Sequence, residues 1–251
     1  NGKIAMKLER DGDKGSAKLV GVRSCSEGQD VLLAVTNGKC IRFPVSEVRK
    51  FASRNSTGVR GIRCSGNDRV VSMSILDHHE INMELRNLYL KYSSSSRRAE
   101  PGKTVDSGEL TAEQLTALSG QEEMILTVTE NGYGKRSSAY EYRITRRGGQ
   151  GIINIETSER NGKVVASFAV GPDDQLMLLT DAGKLIRIHV SGIRIAGRNT
   201  QGVTLFKTHD SERVVSVVRL AEDHEIVGGN DEGEVSTATG EMIKGEGEAN
   251  V

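Results

Sequence analysis

The sequence TNGKCIRFPVSEVRKFASRNSTGV at Thr36–Val59 recurs twice, as TENGYGKRSSAYEYRITRRGGQGI at Thr129–Ile152 and as TDAGKLIRIHVSGIRIAGRNTQGV at Thr180–Val203. Each copy begins with Thr, has a Gly two or three residues later, and carries a second Gly at its end. Self-similarity of this kind is typical of proteins that stack or radially arrange one supersecondary unit. We therefore expect three copies of one structural unit in this chain.

Each copy of the repeat has the residue pattern of β-strands. An apolar run precedes the first Gly and ends at a Gly-containing turn, which is typical of a β-hairpin, and a β-branched run follows the second Gly. These runs are Val31–Val35, Met124–Val128, Leu176–Leu179, Val70–Ile75, Val164–Val170 and Val214–Leu220. About four short strands in a unit of this size are typical of one propeller blade. The sequence therefore predicts an all-β fold, a propeller-like β-pinwheel over residues 1–221.

The polar segment 77–123 separates the first two copies and predicts a short helical insertion between blades. Asp77-His-His-Glu80 matches a capping box, and apolar residues that share one helical face follow it. Ser93–Ser96 is expected to begin a flexible linker, while Thr111 and Gln114 are expected to cap a second short helix. The function of this insertion stays open.

The net charge of zero is the sum of unlike regions. The chain has 34 Lys and Arg residues against 34 Asp and Glu residues. Residues 222–251 contain nine acidic residues and one Lys, and the insertion contains nine acidic and five basic residues, so 28 basic and 16 acidic residues remain elsewhere. A basic body beside an acidic flexible tail, residues 222–251, suggests a polyanion partner and an internal competitor for it. A tail that only aids solubility fits the charges equally well.

Nine arginines recur at three fixed places in the repeat. They follow the first Gly by four and by eleven residues, or precede the second Gly by four: Arg42, Arg136, Arg187; Arg49, Arg143, Arg194; and Arg54, Arg147, Arg198. Equivalent places in a propeller occupy equivalent surfaces, so these guanidinium groups are expected to form a band that neutralises phosphates. The alternative is that they pair with carboxylates or carbonyls between units, which we expect for one of the three places.

The densest motif is Arg146-Arg147-Gly148-Gly149-Gln150-Gly151, in which glycines allow close approach of the backbone and arginines supply charge. It is not a Rossmann or Walker motif, because no helix follows it. The predicted polyanion-binding residues are Lys3, Lys39, Arg42, Arg54, Lys135, Arg136, Arg146, Arg147, Gly148, Gly149, Gly151, Lys184, Arg187 and Arg198.

Catalysis and metal binding are not indicated for this chain. The five histidines show no ligand spacing, and His78-His79 fits a helix start better than a metal site. No Ser/His/Asp or Cys/His arrangement is apparent. Three cysteines, Cys25, Cys40 and Cys64, without a C-x-x-C pair are typical of a reducing cytoplasm. With no long apolar run, we expect a cytoplasmic protein without a membrane partner.

Four stretches resemble the C-terminal domain of the A subunit of DNA gyrase, which is a bacterial type II topoisomerase. They are ENGYGKRSSAYEYRITRRGGQGIINIETSERNG, LIRIHVSGIRIAGRNTQGV, STGVRGIR and NGKIAMK. Thr145-Arg-Arg-Gly-Gly-Gln-Gly151 is similar to the family's Gln-Arg-Arg-Gly-Gly-Lys-Gly box, although that box belongs to the first blade and this motif matches the fifth by order. Asn1 then falls within the third repeat.

The resemblance implies a β-pinwheel that bends double-stranded DNA around a basic outer edge. It implies partners, namely the N-terminal region of the gyrase A subunit and the gyrase B subunit in a heterotetramer, and it implies ATP and Mg²⁺ in that holoenzyme. The nucleophilic tyrosine, the metal-binding acids and the ATP site are expected in other parts of the enzyme. No cofactor and no catalytic residue are expected in this chain.

Two other functions fit the same pattern. The corresponding domain of topoisomerase IV has fewer and more divergent blades and is expected to wrap DNA weakly. A protein-interaction propeller of the WD type would carry Trp-Asp dipeptides, and this chain has no Trp. Sequence-independent DNA wrapping, with affinity that falls steeply as salt rises, is the main prediction.

Overall fold

A computed structural model describes residue 8 and residues 10–11, 15–52, 56–100, 102–209 and 211–220. The predicted acidic tail 222–251 and the candidate residues Lys3 and Arg54 lie outside this part. Within it, strands dominate, and a minimal hairpin of β1 (Arg10–Asp11) and β2 (Gly15–Ser16) precedes three larger sheets. No helix in the described part of the chain is both long and apolar enough to span a membrane.

Each copy of the repeat forms strands in one order along the chain. The first copy contributes β3 (Gln29–Val35), β4 (Lys39–Pro44) and β5 (Val70–Asp77). The second contributes β6 (Met124–Thr129), β7 (Tyr133–Ser138), β8 (Ile152–Ile153) and β9 (Val164–Val170). The third contributes β10 (Gln175–Thr180), β11 (Leu185–His189), β12 (Val203–Thr204) and β13 (Val214–Leu220). The six apolar and β-branched runs in the sequence all became strands, so the all-β prediction is confirmed.

Neighbouring blades exchange a strand. The first sheet has the order β5-β3-β4-β8 and the second the order β9-β6-β7-β12, so the fourth strand of each comes from the next copy of the repeat. The third sheet has the order β13-β10-β11, with three strands among the described residues. All pairings are antiparallel. This exchange makes each pair of blades interdependent.

The strand order fixes which end of each sheet lies inside. Strand β9 lies against both β5 and β13, so these strands meet on the inner side. The exchanged strands β8 and β12 stand at the opposite end of their sheets and therefore lie at the outer edge. The interior between blades is apolar, with Leu126, Leu176 and Leu178 fully buried in one cluster. Burial of such side chains contributes about 1.5–3 kcal/mol each.

The insertion between the first two blades contains two helices, α1 (Met83–Ser96) and α2 (Ala112–Gln121), which confirms a helical insertion. Thr111 and Gln114 form the predicted capping box of α2. The box predicted at Asp77-His-His-Glu80 is wrong, because Asp77 ends β5 and the Asn82 side chain caps α1 by accepting from Glu84 N. The linker predicted at Ser93–Ser96 is also wrong, because these serines continue α1.

The insertion packs on the second blade through aromatic residues. Tyr89 of α1 and Tyr140 of the 3₁₀ turn Ala139–Glu141 stack edge to face with ring centroids 5.5 Å apart. The Tyr140 hydroxyl donates to Leu118 O (2.8 Å), and Leu110 completes the buried cluster. The first and third copies have Ser46 and Ser191 at the place of Tyr140. A single Tyr therefore distinguishes the blade that carries the insertion.

Candidate nucleic-acid interface

Two seams join the blades, each formed where one copy of the repeat crosses the edge of the preceding sheet. In the first seam, Thr145 N donates to Arg42 O (2.8 Å), and β8 pairs with β4. In the second seam, Ala196 N donates to Arg136 O (2.8 Å), and β12 pairs with β7. The two seams use equivalent residues, so the repeat in the sequence corresponds to a repeat in contacts.

One arginine fastens each seam; we call Arg147 and Arg198 the seam arginines. Arg147 Nε donates to Glu47 O (3.0 Å) and Nη1 donates to Arg60 O (3.1 Å), while its backbone N–H donates to Glu47 Oε2 (2.9 Å). Arg198 repeats this pattern on Glu141, at 3.1 Å to O and 2.8 Å to Oε2, and its Nη1 donates to Ile153 O (2.7 Å). Both guanidinium groups make inter-blade contacts, which supports the structural alternative for this place in the repeat. Their phosphate contact stays a prediction.

The arginines four residues after the first Gly differ from copy to copy. Arg42 is only 5% exposed; its Nε donates to the fully buried Asp30 (2.8 Å) and its other nitrogens donate to the carbonyls of Ala139 and Asp77. Arg136 is half-buried and donates to two carbonyls of the second seam, and burial lowers its pKa. Arg187 is exposed and donates to Gln175 Oε1 (2.6 Å). The guanidinium of Arg42 is therefore used for contacts inside the protein, which favours the structural alternative for this arginine over the predicted phosphate contact.

Of the four predicted lysines, the three in the described part of the chain also have different surroundings. Lys135 is completely buried, and its Nζ donates to Gly197 O (2.6 Å) across the second seam. Burial lowers the pKa of Lys135 to about 7. Lys184 remains partly exposed but pairs with Glu212 (2.8 Å), whereas Lys39 is half-buried beside the first seam. Lys135 is therefore a seam residue, and its burial does not support the predicted DNA contact.

The glycines of the Arg-Arg-Gly-Gly-Gln-Gly motif build the first seam. Gly148 N donates to Gly61 O (2.5 Å), so this N–H is used within the protein and does not serve the predicted anion contact. Gly149 O accepts from Arg63 N (2.8 Å). Gly151 has φ +74, and a Cβ there would overlap Cys40 O. Its equivalent Gly202 has φ +79 and would place a Cβ 2.8 Å from Gly134 O. Only Gly allows the two backbones to approach this closely.

The exposed members of the repeating set are Arg49, Arg143 and Arg194, which we call the rim arginines. They stand eleven residues after the first Gly and belong to the predicted band of nine arginines, although the list of predicted binding residues leaves them out. Arg143 and Arg194 follow the buried residues Tyr142 and Ile193 directly. In an extended segment the side chain after a buried one points outward, and this alternation could have identified them. Arg146 of the predicted set is also exposed.

The fold and its seams define a β-pinwheel whose blades exchange strands. Residues 29–77, 123–170 and 174–228 match the family model described as DNA gyrase C-terminal domain, beta-propeller. The chain belongs to this family. The match omits the helical insertion.

The similar proteins include the DNA gyrase A subunit of Rickettsia bellii, 48% identical over 88% of this chain and 24% of the relative, and that of Granulibacter bethesdensis, 45% identical over 90% and 26%. The chain thus spans about a quarter of the length of these relatives. The solved C-terminal domain of DNA topoisomerase IV shares the fold, with TM-score 0.55 and 18% identity over 77% of this chain and 47% of that one.

The described residues contain no group of three or more His, Cys, Asp or Glu side chains that could hold a metal ion. The imidazole of His78 instead lies 2.7 Å from Asp30 Oδ1 through Nδ1. The carboxylate of Asp30 thus contacts both His78 and Arg42. Within the described part, this cluster joins the first blade to the start of the insertion.

Proposed function

We propose that this chain binds and bends double-stranded DNA along its outer edge as the C-terminal domain of a DNA gyrase A subunit. The observation that carries the proposal is the exposure of Arg49, Arg143 and Arg194 at equivalent places in three successive copies. Arg49 and Arg143 follow Glu47 and Glu141, which accept from the seam arginines, and Arg194 O accepts from Arg136 N across the second seam. A regular series of cations on an outer edge matches the regular series of phosphates on a duplex.

Binding of this kind is independent of base sequence. Guanidinium groups on a convex edge contact phosphates, and phosphate contacts position a protein without reading bases. Bending 20–30 bp by 40–90° costs about 1–6 kcal/mol, which several phosphate contacts can offset. Arg146 and Arg187, both exposed, extend the proposed track beside the rim arginines. Lys3, Lys39, Arg54 and Lys184 stay predictions.

We infer that the wrapped DNA serves negative supercoiling by the complete enzyme. The relatives among gyrase A subunits support a role within a type II topoisomerase. The heterotetramer with the gyrase B subunit, cytoplasmic location, ATP hydrolysis and Mg²⁺ are parts of this proposal, because the chain spans only about a quarter of those relatives. This chain's own contribution is to hold and curve the duplex.

The test replaces all three rim arginines with Ala and measures duplex affinity by fluorescence anisotropy at several salt concentrations. If each rim arginine neutralises one phosphate, the slope of log K against log salt becomes shallower by about 2.7. The matched control replaces three exposed lysines away from the seams, Lys18, Lys103 and Lys163, and changes net charge equally. Equal slopes in the two triple variants would refute a localised track.

The topoisomerase IV alternative is less well supported, because the similarity to its solved domain is one of fold at 18% identity, whereas the gyrase relatives reach 48%. A supercoiling assay with the full-length gyrase polypeptide, carrying the three rim substitutions, separates the two. A gyrase domain loses negative supercoiling while relaxation persists. Little negative supercoiling by the unmodified polypeptide would favour the topoisomerase IV alternative, and a supercoiling rate unchanged by the substitutions would favour the interaction-propeller alternative.

A further inference from the structure

A cavity of about 600 Å³ lies where the insertion meets the first seam. Its wall includes residues from the end of the first blade, from the start of α1 and from the second copy of the repeat. The charged and titratable side chains that line it are Arg42, His78, His79, Glu80, Arg86 and Arg143. We call this cavity the insertion notch. Its function is not explained by the packing of the blades.

Arg86 has an unusual environment for a charged side chain. It projects from the first turns of α1, and its Nε is buried with no hydrogen-bond partner among the described residues. A buried donor without a partner costs about 1–3 kcal/mol, and more when the group is charged. Because Nε itself is closed off, an acceptor from outside the chain would meet the remaining guanidinium nitrogens of the half-buried Arg86, which lines the cavity.

The other cations of the notch make it favourable for an anion. Arg42 is neutralised by Asp30, so it contributes little net charge. Arg143, a rim arginine, is exposed and forms no hydrogen bond or ion pair with a described residue. Glu80 is the one carboxylate that lines the notch in the described structure. Asn82 and Met83, at the amino end of α1, also line it, and the helix dipole adds positive potential there.

We infer that the insertion notch binds a phosphate group of the bound duplex between Arg86 and Arg143. The inference rests on the proposed function, because Arg143 is shared by the rim and the notch. The insertion carries more acidic than basic residues and would otherwise repel DNA at this blade. With Arg86 facing the notch, α1 instead contributes a cation to the track.

The direct test follows the Arg side-chain Nε–H NMR signals of the full chain during titration. We expect the Arg86 signal to shift on addition of a duplex and to move little with millimolar inorganic phosphate. A comparable shift with inorganic phosphate alone would overturn the DNA assignment and leave a free-phosphate site. No shift with either titrant would overturn the inference entirely. This measurement uses the unmodified chain, so folding of a variant is not involved.

The second test compares R86A with K91A, an exposed position of the same helix that does not line the notch. We expect R86A to weaken duplex binding about tenfold, the effect of losing one charge-assisted hydrogen bond. We expect R86A and R143A together to cost less than the product of their separate effects, since they share one phosphate.

The outcomes separate this inference from the proposed function. If the triple rim variant weakens binding but R86A equals K91A, the DNA track stands and the notch inference fails. If the unmodified chain does not bind duplex DNA, both fail. A strictly multiplicative R86A/R143A pair would contradict the shared phosphate.

Discussion

The seam arginines and the rim arginines belong to the same repeat and differ in every contact. Arg147 and Arg198 direct two guanidinium nitrogens to backbone carbonyls of a neighbouring segment. Arg143 and Arg194, four residues earlier in the chain, are exposed. Recurrence of a residue type therefore shows that a place in the repeat matters, but the neighbouring residues decide whether it holds blades together or faces a ligand.

A second contrast concerns the acceptors. Glu47 and Glu141 occupy the same place in the first two copies, and each accepts from the seam arginine that follows. The third copy has Gly192 at this place, and its sheet has three strands in the described part of the chain. Thus the two sheets that gain an exchanged strand belong to the two copies that have a Glu to accept from the seam arginine. Each seam therefore pairs one Glu with one Arg.

The largest expected effect is a loss of unfolding free energy when Arg42 is replaced, compared with the same change at its exposed equivalent Arg187. R42A leaves Asp30 buried without its guanidinium partner, and loss of one member of a buried pair costs about 3–5 kcal/mol. R187A removes an exposed side chain and should change the unfolding free energy by less than about 0.5 kcal/mol. Urea denaturation measures both. A loss in R42A as small as that in R187A would show that Arg42 is not a structural residue.

The next prediction compares a seam arginine with a rim arginine in stability and in duplex binding. R198A removes donors from the carbonyls of Glu141 and Ile153 and should lower the unfolding free energy by about 1–3 kcal/mol. R194A should leave stability unchanged and should make the salt slope of duplex binding shallower by about 0.9. Measuring stability and duplex binding on both variants tests whether seam arginines act in stability and rim arginines in binding. A stability loss in R194A equal to that in R198A would contradict it.

The sequence predicted the blades because alternation and Gly-containing turns are local signals. It also predicted the cap of α2, since Thr111 and Gln114 lie within one turn. It did not predict strand exchange, because pairing of β8 with β4 depends on contacts about a hundred residues apart in the chain. The same limit applies to the site. Arg42 and Arg187 have the same place in the repeat, and the fold alone shows that Arg42 also donates to the carbonyls of Ala139 and Asp77.

The insertion shows where local signals mislead. Ser93–Ser96 has the composition of a linker, yet it is the last turn of α1 because Tyr89 of that helix docks on Tyr140. Tertiary contacts outweigh weak helix propensity here. The cap at Asn82 was missed in favour of Asp77, whose strand pairs with Gln29. The local sequence allowed Asp77 to cap a helix, but its pairing with Gln29 in the first sheet places it in a strand.

The smallest expected effect concerns Lys135, which stands in the second seam where the other copies have Ile41 and Ile186. Burial lowers the pKa of Lys135 to about 7, below the value of about 10.4 expected in the unfolded chain. Between these values the unfolded state binds more protons, so the unfolding free energy rises with pH. The slope reaches at most about 1.4 kcal/mol per pH unit for one group.

The variant K135I replaces the ammonium with the residue of the other copies and removes this titration. The difference in unfolding free energy between the unmodified chain and K135I should therefore favour the unmodified chain increasingly as pH rises from 7 to 9. Taking the difference cancels groups that titrate equally in both proteins. Well below pH 7 the difference should be constant, because Lys135 is then protonated in both states. A difference that stays flat from pH 7 to 9 would show that the amine stays charged within the seam.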